Sequence, residues 1–222
     1  GMKTAMKIQG LYSGKSQQLR PSGEYTGIYK ASRNHVSVDE LGIQGDVQVD
    51  KRYHGGPDKA LHQYSLPSYR RIVEIYSKLK HVAVPGAIGE NITIAEMAEA
   101  SVCIGDIYRF GSVVAQVSEP RRPCWKINAK FKQTDLTEFI EKEGITGWYY
   151  RVLEAGEISL GDKATLLERP NPEVNISYFN QVLNRPQPRR DALNFLIESV
   201  GLATSLRAYL EKKSAGLDSK NG

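Results

Sequence analysis

Arg121-Arg122-Pro123-Cys124 sets a thiol beside two guanidinium groups. Positive charge nearby favours a thiolate over a thiol. A thiolate is either a nucleophile or a ligand for a soft metal. Most free cysteines are simply buried small hydrophobes. Cys103, between Val102 and Ile104, is read that way, whereas Cys124 has cationic and rigid neighbours and is the candidate for chemistry.

Two further stretches could do chemistry. His54-Gly55-Gly56-Pro57-Asp58-Lys59, with His62 just beyond, combines loop amides, a lysine and two histidines. That set suits a phosphate or another anion, and a satisfied surface loop explains it equally well. Its spacing matches neither a zinc finger nor a metalloprotease helix. Gly89-Glu90-Asn91 can place an amide and a carboxylate at a sheet end, or can be a structural turn. The chain has no P-loop, no dinucleotide-binding Gly-x-Gly-x-x-Gly, no Gly-x-Ser-x-Gly and no Cys-x-x-Cys.

Short strands must position these stretches. Met6 to Leu11, Gly27 to Ala31, His35 to Val38, Ala60 to Tyr64, Ile92 to Ile94, Ile107 to Phe110, Val113 to Val117, Gly147 to Leu153 and Lys163 to Leu167 have strand character. Pro120 and Pro123 stop the strand that leads to Cys124, because proline fixes φ and removes a backbone donor. Ser65 to Lys80 predicts a helix with Tyr69, Ile72, Tyr76 and Leu79 on one face, Ser65 as cap and Pro67 in the first turn. Thr134 to Glu143 predicts a second, capped by Thr134. Ile104-Gly105-Asp106 and Leu160-Gly161-Asp162 read as one kind of turn used twice.

Glu168 to Pro172 reads as a linker. Three helices are expected after it, with apolar faces at Ile176, Phe179, Val182 and Leu183, then Leu193, Leu196, Ile197 and Val200, then Leu202, Leu206, Tyr209 and Leu210. From Ser214 the polar tail is expected to fray. The expected architecture is mainly β: a barrel of short strands with inserted helices over residues 1–167, then a small three-helix domain over 168–222.

Of 222 residues, 25% are charged and 40% belong to the hydrophobic set, an ordinary globular composition. The net charge of +5 favours anionic ligands or is plain basic surface. The basic residues are scattered and no aromatic platform interleaves them, which argues against nucleic acid. No apolar run approaches the ~20 residues of a membrane span. Two cysteines and no export signal lead to the expectation of a reducing, cytoplasmic setting.

His54 to Tyr64, Gly89 to Thr93, Ile104-Gly105-Asp106, Val117 to Cys124 and Leu160-Gly161-Asp162 follow one another in the order seen in MOSC domains, the domain at the C-terminus of molybdenum-cofactor sulfurases. With three helices after the barrel, the chain resembles the bacterial YiiM-like branch. The resemblance implies a β-barrel that binds a molybdopterin-type molybdenum cofactor, with Cys124 as the molybdenum ligand. It also implies reduction of N-hydroxylated compounds such as hydroxylamino purine and pyrimidine analogues. Lys59, Arg121 and the amides of Gly55 and Gly56 then become candidates for the cofactor's phosphate. His54, His62 and Asn91 become candidates for orienting the cofactor or moving a proton. Many MOSC motifs carry one arginine near the cysteine; here Arg121 is expected to face the site and Arg122 to face away.

Two other functions remain open on the residues: a sulfur carrier using a Cys124 persulfide, and a non-catalytic cofactor-binding protein. No flavin or iron–sulfur motif is present, so a reductase of this kind needs an external electron donor. The helical segment offers either a homodimer surface or cover for one end of the barrel.

Overall fold

The computed structural model describes the backbone of residues 6–14, 17–19, 24–26, 30–45 and 56–221, with side chains for 6–14, 30–45 and 56–217. His54, Gly55 and most of the strand expected at 27–31 lie outside the described residues. The strands are β1 Met6–Lys7, β2 Gly10–Ser13, β3 Gln17–Leu19, β4 Glu24–Thr26, β5 Ala31–Ser32, β6 His35–Asp39, β7 Gly42–Ile43, β8 Leu61–Gln63, β9 Ile92–Thr93, β10 Ile107–Phe110, β11 Val113–Pro120, β12 Trp148–Glu154, β13 Gly156–Ser159 and β14 Lys163–Glu168. Among the described residues nine of them form one sheet, in the order β1-β14-β10-β11-β12-β8-β9-β2-β5. The β8–β9 pair is parallel and the other pairs are antiparallel.

The expected closed barrel is therefore corrected to a mixed sheet with an open ladder, and the mainly β class to a mixed α/β one. The sheet nevertheless curls. Seven strand spacings separate β1 from β2, about 34 Å in a flat sheet. Only Ile8 and Gln9 join them, a reach of about 11 Å. The Ile8 amide bonds the Asp162 carbonyl, and the Gln9 amide bonds the Thr93 carbonyl on the far side. The strain-free way to satisfy both is to bring the two sides of the sheet together.

The helices are α1 Leu66–Ile75, α2 Lys126–Phe131, α3 Leu136–Glu143, α4 Ile176–Asn184, α5 Arg190–Ile197 and α6 Thr204–Asn221. The Ser65 hydroxyl caps α1 by accepting from the Ser68 amide. The first helix is shorter than expected, because Tyr76 leaves helical geometry and a 3₁₀ turn, Ser77–Leu79, carries the chain on. The α3 cap position is Asp135, not Thr134, and its side chain makes no cap bond. Beyond Ser214 the chain stays helical to Asn221, and the Ser214 hydroxyl bonds Asn194 of α5, so a tertiary contact holds the stretch expected to fray.

One apolar cluster joins sheet residues such as Leu61, Phe110, Val117 and Trp148 to helix residues Phe179, Leu193, Leu196 and Leu210. With both faces covered, β11 is buried along almost its whole length, which is why it reads as a continuous apolar run. A second cluster, with Tyr69, Ile72, Ile127, Phe131 and Ile140, lies under α1 to α3.

The repeated Ile-Gly-Asp turn has one geometry in both places. Asp106 Oδ2 accepts from the Cys103 amide at 3.0 Å, and Asp162 Oδ2 from the Ser159 amide at 2.7 Å. The first copy does more. Asp106, fully buried, also accepts from the Tyr108 hydroxyl at 2.8 Å and from Arg169 Nε and Nη2 at 3.0 and 2.8 Å. Gly105, at φ +84°, backs onto the Val200 carbonyl, where a Cβ would lie 2.3 Å away. The turn thus anchors the linker and the loop after α5 to the sheet. Removing one partner of a buried pair strands the others. Asp106→Ala is expected to cost about 3 kcal/mol of unfolding free energy, measured by urea denaturation.

Candidate functional site

The end of β8, the loop before β9 and the end of β11 meet at one place. β8 pairs with β12 through His62 and Tyr149, and β12 pairs with β11 through Tyr149 and Glu119. The His62 amide donates to Asn91 Oδ1 at 2.9 Å, and the Asn91 amide donates back to the His62 carbonyl at 2.8 Å. Arg121 is buried; its amide bonds the Gly147 carbonyl at 3.1 Å and its Nη1 donates to the Ile88 carbonyl at 3.2 Å. His62, Asn91 and Arg121, three of the expected site residues, are therefore brought together by these bonds. The Tyr69 hydroxyl holds the same loop by donating to Glu90 and accepting from the Ile88 amide.

Lys59 joins from the opposite side. It follows a 3₁₀ turn, Pro57–Lys59, entered at Gly56 with φ +94°. Its Nζ lies 2.7 Å from Glu119 Oε1 and 4.8 Å from the centre of the Tyr149 ring, which in turn lies 5.4 Å from the His62 ring. Burial pushes the Glu119 carboxyl up, and the Lys59 charge pulls it back only in part. Glu119 Oε2 has no hydrogen-bond partner.

The two arginines part company. Arg121 turns inward to Ile88, while Arg122 is exposed and lies 4.9 Å above the Tyr209 ring of α6. Cys124 follows, half-buried, and its carbonyl accepts from the Ile127 amide as α2 begins and from the Thr137 hydroxyl. Cys103 is buried, its thiol is pushed up by burial, and it touches the Pro172 carbonyl, consistent with an inert packing role.

The sequence reading missed Lys130, Lys30 and Gly147, and named Glu90 only as part of the Gly89-Glu90-Asn91 turn. Lys130 sits one helical turn past the start of α2 and donates to the Ala87 carbonyl, beside the Gly89-Glu90-Asn91 turn. Burial lowers its pKa to about 8, against the pull of Glu90. Lys30 and Arg121 both act on Lys130 and His62 through their charge. Nothing local marks the two lysines, because only folding brings 30 and 130 to the turn at 89–91. Burial raises the Glu90 carboxyl, and the Tyr69 hydroxyl, backbone amides and Arg121 oppose the shift. Gly147, at φ +73°, lets β12 start against β8: a Cβ there would lie 2.5 Å from the Gln63 carbonyl and 3.0 Å from His62 Nε2.

His62 is held neutral. Burial lowers its pKa well below the usual histidine value, the Arg121 charge adds to this, and a bond to the Gly89 backbone opposes it. Nε2 has no partner, so Nδ1 is the donor to Gly89 and Nε2 presents a lone pair. Among the described residues no three His, Cys, Asp or Glu side chains converge as a metal cage. No described helix is long and apolar enough to cross a membrane.

Two outcomes follow from this geometry. The unfolded chain takes up a proton at His62 below about pH 6.5, whereas the folded chain resists it. Stability is therefore present above that pH and falls as pH drops towards the lower folded pKa. His62→Gln should flatten this part of the profile in denaturant titrations across pH 5 to 7. Gly147→Ala should cost about 2–4 kcal/mol by strain and clash and should shift the His62 ring resonances in NMR spectra.

Comparison with known proteins places this geometry. Residues 50–165 match the MOSC domain. YflK, an uncharacterized protein of Bacillus subtilis (strain 168), is 35% identical over 209 residues, 93% of each chain. YiiM of Escherichia coli (strain K12) is 31% identical over 204 residues, 91% of this chain and 90% of YiiM. Its crystal structure superposes with a TM-score of 0.81 over 96% of this chain and 94% of that one, at 25% identity. A Gibberella moniliformis (strain M3125 / FGSC 7600) protein named Reductase is 36% identical over 196 residues, which make up 86% of this chain and 34% of that larger protein. The chain belongs to the MOSC domain family, and within it is YiiM-like.

Proposed function

We propose that this chain binds a molybdopterin-type molybdenum cofactor and is an oxidoreductase that reduces N-hydroxylated compounds, hydroxylamino purine or pyrimidine analogues among them, with Cys124 as the protein ligand of the metal. The observation that carries the reading is the meeting of Lys59, His62, Asn91 and Arg121 beside the chain that leads to Cys124. Membership of the MOSC family supports the cofactor, and the relative named Reductase supports the reaction type.

The residues fit such a group. A phosphate-bearing cofactor needs cations and backbone donors. Arg121, Lys130 and Lys30 place three positive charges around the loop before β9, and Lys59 adds a fourth across Tyr149. Among the described residues, a Cβ on Gly56 would meet nothing within 4 Å. A single soft thiolate would suit a metal that arrives in its own chelate. When bound, the group supplies the two-electron redox chemistry at its metal.

The chain's residues do the rest. Cys124 would be the protein ligand of the metal. Arg121, Lys59 and Gly56, with His54 and Gly55 beside it in sequence, would hold the anionic end. Asn91 fixes the position of His62 through its paired bonds to the β8 backbone. Neutral His62 offers Nε2 as a proton acceptor; an anion held by Arg121 eases its protonation, after which it can donate. An N-hydroxylated amine takes up two electrons and two protons and yields the amine and water, the electrons coming from an external donor. Molybdenum and pterin analysis of protein from a cofactor-competent host tests the reading. Wild type is expected to carry stoichiometric molybdenum, to lose it in Cys124→Ala, and to turn over a hydroxylamino base with an electron donor. A cyanide-labile sulfur on Cys124 without molybdenum would sink it.

A further inference from the structure

A cleft of about 130 Å³ separates the end of β11 from the C-terminal helices. Pro120, Pro123, Leu183 and Leu206 are among its lining, and Cys124 follows directly on Pro123. Glu119 and Asn180, both buried, also line it. Arg122, Tyr209 and Lys213 line it as well, from its exposed side.

Two independent features point to the chemistry of a ligand. The first is charge. Arg122 and Lys213 both lie over the Tyr209 ring, 4.9 and 5.9 Å from its centre, and Arg122 also hydrogen-bonds the phenol. Among the described residues neither has a carboxylate partner. Two like charges converging on one ring repel each other unless an anion joins them. Arg121 adds a third cation; Glu141 and Glu119 are the carboxylates of the lining, and Glu119 is already bridged to Lys59. The second feature is an orphan: Glu119 is nine-tenths buried, and its Oε2 has no partner. A buried carboxylate oxygen without a donor is costly, so a donor brought by a ligand is favoured.

We propose that this cleft is a binding site for a phosphate monoester, its phosphate held by Arg122 and Lys213 and its body reaching Glu119 with an N–H or O–H donor. A phosphate monoester carries close to two negative charges at neutral pH, which matches the two unneutralised cations better than a carboxylate does. Among its polar lining, the prolines, the leucines and Tyr209 offer surface for a flat body such as a nucleobase. The assignment of the phosphate stands on the cleft alone. That the ester is the substrate rests on the reductase reading, and makes phosphorylated N-hydroxylated nucleosides preferred over free bases.

Isothermal titration of the cofactor-free full chain with AMP, and separately with adenosine, tests the site. AMP is expected to bind about tenfold to a hundredfold more tightly than adenosine, the worth of one or two charge-assisted hydrogen bonds. Arg122→Ala and Lys213→Gln should each erase most of that difference while leaving the thermal melt unchanged, and raising the salt concentration should shrink it in the wild type. Equal affinities for AMP and adenosine, or no AMP binding, would overturn the proposal. So would a preference that survives both substitutions but vanishes in Lys59→Ala, since the phosphate would then sit in the neighbouring site. Molybdenum content is read separately, so a failed titration leaves the cofactor reading standing.

Discussion

A buried guanidinium organises this end of the molecule. Arg121 cannot lie in the interior without acceptors, because a charge removed from water costs several kcal/mol unless it is paired and hydrogen-bonded. The Ile88 carbonyl and the charge of buried Glu90 meet that need. Glu90 is satisfied in turn by Tyr69, and Tyr69 accepts from the Ile88 amide. The loop from Gly86 to Asn91 is thereby held between α1 and the end of β11. Its other products are the carbonyl of Gly89, which keeps His62 in one tautomer, and the side chain of Asn91, which ties the loop to β8.

Two consequences flow from that arrangement. Burial disfavours charge on His62 and on Lys130; the charges of Arg121 and Lys30 add to this, opposed at Lys130 by Glu90. A site with these cations prefers an anion, and an anion would relieve the repulsion among them. The second consequence concerns the wall made by the end of β11. Glu119 takes Lys59 on one oxygen while its residue also lines the cleft against α4 and α6, and Arg121 borders both regions. The C-terminal helices are thus more than a cover for the sheet: α6 contributes Tyr209 and Lys213 to a cleft that opens beside Pro123.

Much of this was legible in residue types. The prolines and arginines before Cys124, the Gly89-Glu90-Asn91 turn and the loop before β8 were marked by chemistry that ordinary packing does not need. Arg121 turns in and Arg122 out just past the end of β11. The repeated Ile-Gly-Asp turn was visible as turn chemistry, because aspartate accepts from the amide three residues back in both copies. Its role as the anchor of the C-terminal helices was not, since Arg169 and Val200 are far away in sequence. Tyr209 and Val200 fit apolar helix faces by spacing, yet both are exposed, because periodicity reports a face and not what covers it. A short helix such as α2 leaves too few residues for a periodic signal, and Lys130 was hidden with it.

By itself the sequence determined most of the elements, the turn residues, the family and the candidate groups, all of which depend on near neighbours or on motif order. Tertiary structure decided the rest. It opened the ladder of the sheet while curling it through Ile8 and Gln9, gathered Lys30, Glu90 and Lys130 around Arg121, and left one oxygen of Glu119 unpartnered. Burial and long-range Coulomb interactions depend on which distant segments share a neighbourhood, and no local pattern encodes that proximity.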